Sequence, residues 1–248
     1  MTYNIHKGFS SGRKEFVLEQ VRDSLRGCDC DIVLLQEIQG EHKKKAMSIP
    51  EWPKESQFEY LADSVWPHHA YGKNAIYQSG HHGNAILSKY PFAFWENINV
   101  SRQQRASRSL LHGMLSHPAI SGPLHVICLH LGLFEAERKS QIEVLTQRIK
   151  THVKDADPLI IGGDFNDWRG KVDNYFAKEL GLKELFLELR GHHAKSFPSA
   201  FPVLSLDRIY FRGLTPRAAL CLRGLPWKKL SDHLPLYAEF SDYETPIL

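Results

Sequence analysis

Two packed β-sheets covered by helices, an α/β sandwich, is the fold this sequence predicts. Three observations lead there. Apolar runs of strand length recur along the chain, helical spacing appears between some of them, and the middle third reads as successive strands separated by turn residues. A chain of 248 residues buries such a core without disulfide or metal staples. No repeat, low-complexity tract or domain boundary is visible, so residues 1–248 read as one domain.

The elements follow in order. Residues 2–6 read as a strand, kept short unless residues upstream of Met1 are missing. Residues 14–26 place Phe16, Val17, Val21 and Leu25 near a helical period. Residues 31–36 form a buried strand with Ile-Val-Leu-Leu at its centre. Residues 41–54, charged and proline-bearing, read as a loop, and 57–65 as a short helix. Strands are predicted over 84–88, 92–100, 109–117 and 124–131, with Gly122-Pro123 turning the chain between the last two. Residues 135–153 form a helix with Ile142, Leu145, Ile149 and Val153 on one face. A strand at 159–161 follows, then a helix over 172–180 stopped by Gly181. Strands at 206–211, 218–222 and 234–240 complete the pattern.

Hydrophobic residues make up 42% and charged residues 24%, as in an ordinary globular protein. The net charge of +3 gives no strong basic footprint that forces nucleic-acid binding, though a pI near 8.6 permits a polyanionic substrate. Cys28, Cys30, Cys128 and Cys221 lack zinc or CxxC spacing and predict free thiols in a reducing, cytoplasmic setting. No apolar run reaches membrane-spanning length and no signal peptide is visible; export requires a leader already removed. Of the 14 histidines, His68, His69, His152, His192 and His193 read as loop or solvated residues. Lys43-Lys44-Lys45 reads as a solvated run, or as a contact for an anionic surface.

The richest segment is Gly162-Gly163-Asp164-Phe165-Asn166-Asp167, directly after Pro158-Leu159-Ile160-Ile161. Glycines at the end of a buried strand allow close approach, and Asp164 and Asn166 then project together. They suit orienting and deprotonating a water, or they form an Asx turn. Glu37 ends an apolar strand and reads as a Mg²⁺ or Mn²⁺ ligand, or as a surface acid. Asn4 reads as its support or as a turn former, and His6 as a phosphate contact or a loop residue. Asp207 and Asp232-His233 each adjoin a strand. A carboxylate behind a histidine favours imidazolium, which stabilises phosphoryl charge. The plainer readings pair Asp207 with Arg208 and make Asp232 a turn acid. His130 closes an apolar run and meets a ligand or sits satisfied in the core. Arg108 binds a phosphate oxygen, or is solvated like Arg102 and Arg105. Gly80-His81-His82-Gly83-Asn84 cradles substrate, with His82 and Asn84 as contacts, or simply turns the chain. Arg138 and Gln141 read as structural. Trp168 with Arg169, and Trp227 with Lys228-Lys229, form a base-stacking rim or pack inside. Phe197-Pro198 and Phe201-Pro202-Val203-Leu204 form an apolar lip for a lipid, or are core or turn.

These residues together resemble the endonuclease/exonuclease/phosphatase superfamily. The matching motifs are Thr2-Tyr3-Asn4-Ile5-His6, Leu35-Gln36-Glu37, Gly83-Asn84-Ala85-Ile86-Leu87-Ser88, His130-Leu131-Gly132, Gly163-Asp164-Phe165-Asn166, Leu206-Asp207 and Ser231-Asp232-His233. They stand in family order from residue 2 to residue 233. The resemblance implies a four-layer α-β-β-α sandwich of two mixed, mainly antiparallel sheets flanked by helices. It implies Mg²⁺- or Mn²⁺-dependent hydrolysis of a phosphate ester. Carried over by motif, Glu37 is the metal ligand, supported by Asn4, with Asp232 supporting the metal or the neighbouring histidine. Asp164 orients or deprotonates water, Asn166 places the phosphate, and His233 backed by Asp207 stabilises the transition state. His130 contacts the phosphate or assists the leaving oxygen, and Arg108 matches a phosphate-binding arginine. Gln39 replaces the lysine of abasic-site nucleases, Leu204-Ser205-Leu206-Asp207 lacks their Trp-Arg, and His6 stands where many repair nucleases carry an acid. An uncharacterised bacterial subgroup has similar motifs, including His-Leu-Gly-Leu. The expected activity is a nuclease on DNA, as a monomer; the alternatives are a phospholipid or inositol-phosphate esterase, and a binding protein that has lost the chemistry.

Overall fold

The computed structural model describes residues 1–12, 15–101, 108–120 and 122–242. Two six-stranded sheets pack face to face. The first contains β1 (Thr2–Asn4), β2 (Ile32–His42), β3 (His68–Tyr77), β4 (Gly80–Ser88), β11 (Leu214–Cys221) and β12 (Leu236–Asp242) in the order β11-β12-β1-β2-β4-β3. The second contains β5 (Phe92–Asn99), β6 (Ser109–Ser116), β7 (Pro123–His130), β8 (Leu159–Asp164), β9 (Lys183–Glu184) and β10 (Asp207–Arg212) in the order β5-β6-β7-β8-β10-β9. Each sheet has one parallel pair at its centre, β1 with β2 and β7 with β8. The other pairings among the described residues are antiparallel.

Burial follows three layers of apolar contact. Leu34, Ile86, Leu111, Val126, Cys128, Ile209 and Leu236 fill the space between the sheets. Tyr3, Val33, Leu35 and Leu87 face outward from the first sheet against α1 (Leu18–Gly27), α3 (Gln57–Ala62) and the short α7 (Trp227–Leu230). Ile127, Leu129 and Ile161 do the same on the second sheet against α4 (Glu135–His152) and α5 (Asp173–Leu180). A sheet buried on both faces explains the continuous apolar runs in β2, β7 and β8. This is the expected four-layer sandwich. Among the described residues, no helix is long and apolar enough to cross a membrane.

Several boundaries differ from the sequence reading. The region expected to be a loop from 41 carries β2 on to His42 and then a helix, α2 (Lys43–Ser48), whose Lys45 N–H donates to His42 Nδ1. The strand does not stop at Glu37 because a bulge absorbs Gln36 and Glu37: the register moves from Leu35↔Ala85 to Ile38↔Gly83. Gly80 to Asn84 is not a turn but the start of β4, paired with both β2 and β3. The helix expected from Lys14 begins at Leu18; Phe16 instead bridges to Phe9 and stacks on Trp52, and residues 13 and 14 lie outside the described residues. The first strand ends at Asn4 rather than His6. Strand β3 and the helix α6 (Leu185–Arg190) were not expected. The stop at Gly181 holds, in the left-handed conformation.

Candidate active site

The carboxyl ends of the two parallel pairs lie at one rim of the sandwich, and the candidate residues stand there. Asn4 closes β1 opposite Gln36 of β2. His130 closes β7 opposite Asp164, the last residue of β8. Asp207, the first residue of β10, is also opposite Asp164. At Gly163, with φ 154°, a Cβ would lie 1.9 Å from the Leu129 carbonyl oxygen; only glycine lets β8 approach β7 this closely just before Asp164.

Three short turns aim the side chains. Asp164 Oδ1 accepts from Asn166 N at 3.1 Å, Asn4 Oδ1 from His6 N at 3.1 Å, and Ser231 Oγ from His233 N at 3.2 Å. In Asp164 and Asn4 the turn spends one side-chain oxygen on the backbone and leaves the other polar atom for the site. Asp164 Oδ2 accepts from Asn4 Nδ2 at 3.2 Å and lies 3.4 Å from His130 Nε2 and 3.7 Å from His233 Nε2. Ser231 Oγ donates to Asn4 O at 2.7 Å, tying the last motif to the first. Asn166, expected on the phosphate, gives its Nδ2 to Leu131 O at 2.9 Å and so fixes the loop after His130 to that after Asp164.

Behind His233, Asp207 Oδ2 lies 2.9 Å from Nδ1 and accepts from Ser196 Oγ as well. The plainer pairing of Asp207 with Arg208 does not occur through the carboxylate: Arg208 donates to the carbonyls of Ser205, Asp207 and Asp167. Burial opposes charge on His233, but Asp207 and Asp164 outweigh it and raise the imidazole to about 10. Burial raises the Asp164 carboxyl, offset in part by His233. His130 is driven the other way, well below the usual histidine range, by burial and the charge of Arg108. Charge is thus favoured on His233 and disfavoured on His130, on either side of Asp164.

Glu37 sits on the bulge with φ 55°. His6, Lys7 and Asn166 also hold positive φ, and such conformations cost roughly 1–3 kcal/mol each. Lys7 Nζ lies 2.9 Å from Glu37 Oε2. Burial pushes the Glu37 carboxyl up, but His130, Lys7 and His6 hold it well below the usual carboxylate range. Asp232 pairs with His6, Oδ1 to Nδ1 at 3.5 Å, and keeps its side chain about a third exposed. Burial, then Lys7, lowers His82 to about 4, with Glu37 and Arg108 also acting on it. Asn84 is buried and commits Nδ2 to Ser109 O at 3.1 Å. Arg102 and Arg105 lie outside the described residues.

The rim divides the two tryptophans. Trp168 is 47% exposed with the Arg138 guanidinium over its ring, whereas Trp227 packs edge-on against Tyr3 and is a core residue. Phe201, Val203 and Leu204 are exposed and not core. Arg138 and Gln141 are structural, as expected: they bond the backbone of Gly132 and Leu133 just after His130. Lys45 is not merely solvated; it donates to Gln39 and lies over Phe9. Sequence reasoning missed Lys7, Ser196 and the buried Gln57. Lys7 alone carried a signal, as the neighbour of His6.

The residues fit a divalent cation. Asn84 Oδ1 and Asp207 Oδ1 are buried acceptors without a hydrogen-bond partner, and ligand atoms of Asp164, Asp207 and His233 lie within 4.8 Å of one another. Hard oxygen donors suit Mg²⁺ and Mn²⁺. The three grouped residues already bind each other, whereas the Glu37 carboxylate is held by the Lys7 ammonium, which a cation can displace.

The sandwich carries a buried carboxylate–imidazole–carboxylate chain, Asp164–His233–Asp207, at its rim. The chain belongs to the endonuclease/exonuclease/phosphatase family, which matches residues 1–233. It is 42% identical to the uncharacterized protein YbhP of Escherichia coli K12, over 96% of this chain and 94% of that one. It is similar in fold to Danio rerio TDP2, in a form humanized by 14 mutations, with TM-score 0.72, 22% identity and 97% of each chain covered; D. rerio TDP2 is also known complexed with single strand DNA product. A mannosyl-6-phosphatase of Bacteroides thetaiotaomicron is similar at TM-score 0.69 and 15% identity, over 96% of this chain and 97% of that one.

Proposed function

We propose that this protein is a Mg²⁺- or Mn²⁺-dependent phosphodiesterase acting on DNA, a cytoplasmic monomer in keeping with its four free cysteines. One observation carries the reading: Asp164 Oδ2 meets Asn4, His130 and His233, with Asp207 behind His233. Glu37 is the metal ligand, with Asn4 and Asp232 supporting it. The ion, when bound, supplies positive charge to the phosphate and the leaving oxygen.

The chain's own residues do the rest. Asp164, raised by burial, accepts the proton of the attacking water. Asn4 and Asn166 hold its two oxygens in place. His233 stays protonated because Asp207 lies at Nδ1, so its Nε2–H donates to a phosphoryl oxygen as charge develops there. Neutral His130 donates from Nε2 to the phosphate without repelling Arg108. Arg108, His6 and His82 bind the remaining phosphate oxygens; Asn84, expected there, has its Nδ2 on Ser109 O.

DNA is favoured by exposed Trp168, two residues beyond Asn166 and beside Arg169. Stacking contributes about 1–3 kcal/mol per base, so Trp168→Ala raises KM for single-stranded DNA at least about fivefold and loses more on DNA than on bis-p-nitrophenyl phosphate. A second reading, an amphiphilic phosphate ester such as a phospholipid, is favoured by Phe201 at 75% and Leu225 at 73% exposure. Parallel assays with plasmid, single-stranded DNA, bis-p-nitrophenyl phosphate and sphingomyelin vesicles test both. Turnover of vesicles alone defeats the DNA reading.

A further inference from the structure

The Glu37 carboxylate has a partner built into the single helical turn, His6–Gly8, that follows β1. Lys7 Nζ lies 2.9 Å from Oε2, and the two side chains are only 24% and 20% exposed. Both residues hold left-handed backbone, Lys7 at φ 59° and Glu37 at φ 55°. One buried side chain fixes both segments: Gln57 Nε2 donates to Lys7 O at 3.0 Å, and Gln57 Oε1 accepts from Gln39 N at 2.9 Å. Gln57 itself is fully buried. A surface lysine samples many partners and gains little from any one. Here the backbone on each side is pinned, so the ammonium is delivered to one carboxylate.

We propose that Lys7 is a tethered competitor for the metal ligand Glu37, setting the cation concentration at which the site loads. A divalent ion and an ammonium seek the same carboxylate lone pairs, so binding one requires displacing the other. The displaced ammonium remains on its pinned backbone, close enough to His82 to act on its imidazole. This inference rests on the reading of Glu37 as the metal ligand. Lys7 acts through Glu37 and is a positioning residue in that state.

Titration calorimetry with Mn²⁺ on chelator-stripped wild type, Lys7→Met, Lys7→Arg and Glu37→Gln tests it, with thermal melting to check each fold. The half-buried ion pair is lost in Lys7→Met, so its Mn²⁺ affinity rises about tenfold. Lys7→Arg, which keeps the charge, stays near wild type. Lys7→Gln replaces Lys7→Met if the latter fails to fold. Equal or weaker binding by the uncharged variant, while Glu37→Gln abolishes binding, overturns the role of Lys7 alone. Wild-type binding by Glu37→Gln overturns the metal reading and this inference with it.

Discussion

Asp164 divides its labour between two oxygens. Oδ1 closes the turn to Asn166, while Oδ2 meets Asn4, His130 and His233. Removing it, as in Asp164→Ala, or removing the imidazole, as in His233→Ala, lowers kcat at least about 100-fold on bis-p-nitrophenyl phosphate; unchanged circular dichroism confirms that the fold survives. Asp207 acts one bond further back. Against burial, it and Asp164 together raise His233 from 6.5 to about 10, so the imidazolium with its carboxylates contributes stability that is full below pH 6.5 and lost as pH rises through about 10. In Asp207→Asn the alkaline limb of activity moves down towards neutrality, and the fall in urea midpoint between pH 6.5 and 10 shrinks. At this scale the sequence left two readings for Asn4 and Asp164, turn former or site residue; each closes a short turn with one oxygen, and Asn4 Nδ2 also donates to Asp164 Oδ2 at the rim. Ser196 and Gln57 were illegible because they act on Asp207 and Lys7, 11 and 50 residues away, with no motif of their own.

A second polar chain crosses β6, β7 and α4. Arg148 Nε donates to His112 Nδ1 at 3.1 Å, which leaves the His112 proton on Nε2, 2.9 Å from His125 Nδ1; His125 Nε2 then points to Asp157 at 3.5 Å. Burial, with the charges of His125 and Arg148, lowers His112 to about 3. The sign is opposite to that of His233. This contribution is full above pH 6.5 and is lost as pH falls towards 3, because the unfolded chain takes up the proton first. Replacing His112 by Gln therefore flattens the acid limb of stability by about 2 kcal/mol between pH 7 and pH 4, read from urea midpoints. Among the elements, α4 and α5 were legible because Ile142, Leu145, Ile149 and the Gly181 stop follow helical geometry. The extension of β2 past Glu37 and the helix α2 were not. The bulge breaks the two-residue period, and three lysines before Pro50 look like loop until His42 caps them.

The whole molecule brings Asn4 and Glu37 from one sheet to His130, Asp164 and Asp207 from the other. Packing between the sheets therefore sets the site as well as stability. Leu34 lies in that layer, and a Cβ on Gly162 would come within 2.6 Å of its Cδ1. Leu34→Ala is expected to cost about 2–5 kcal/mol, visible as a lower midpoint in denaturant. The layered plan was legible because alternating apolar runs have few ways to pack. The convergence at the rim was legible only through the order of the motifs, since no local pattern says which strand ends meet. Hydrolysis of bis-p-nitrophenyl phosphate by chelator-stripped protein, titrated with Mg²⁺ or Mn²⁺ in wild type and Glu37→Gln, tests that convergence most directly. The expected result is a saturable rise in wild type that is nearly absent in Glu37→Gln. Hydrolysis without added metal, or an undiminished rise in Glu37→Gln, contradicts it.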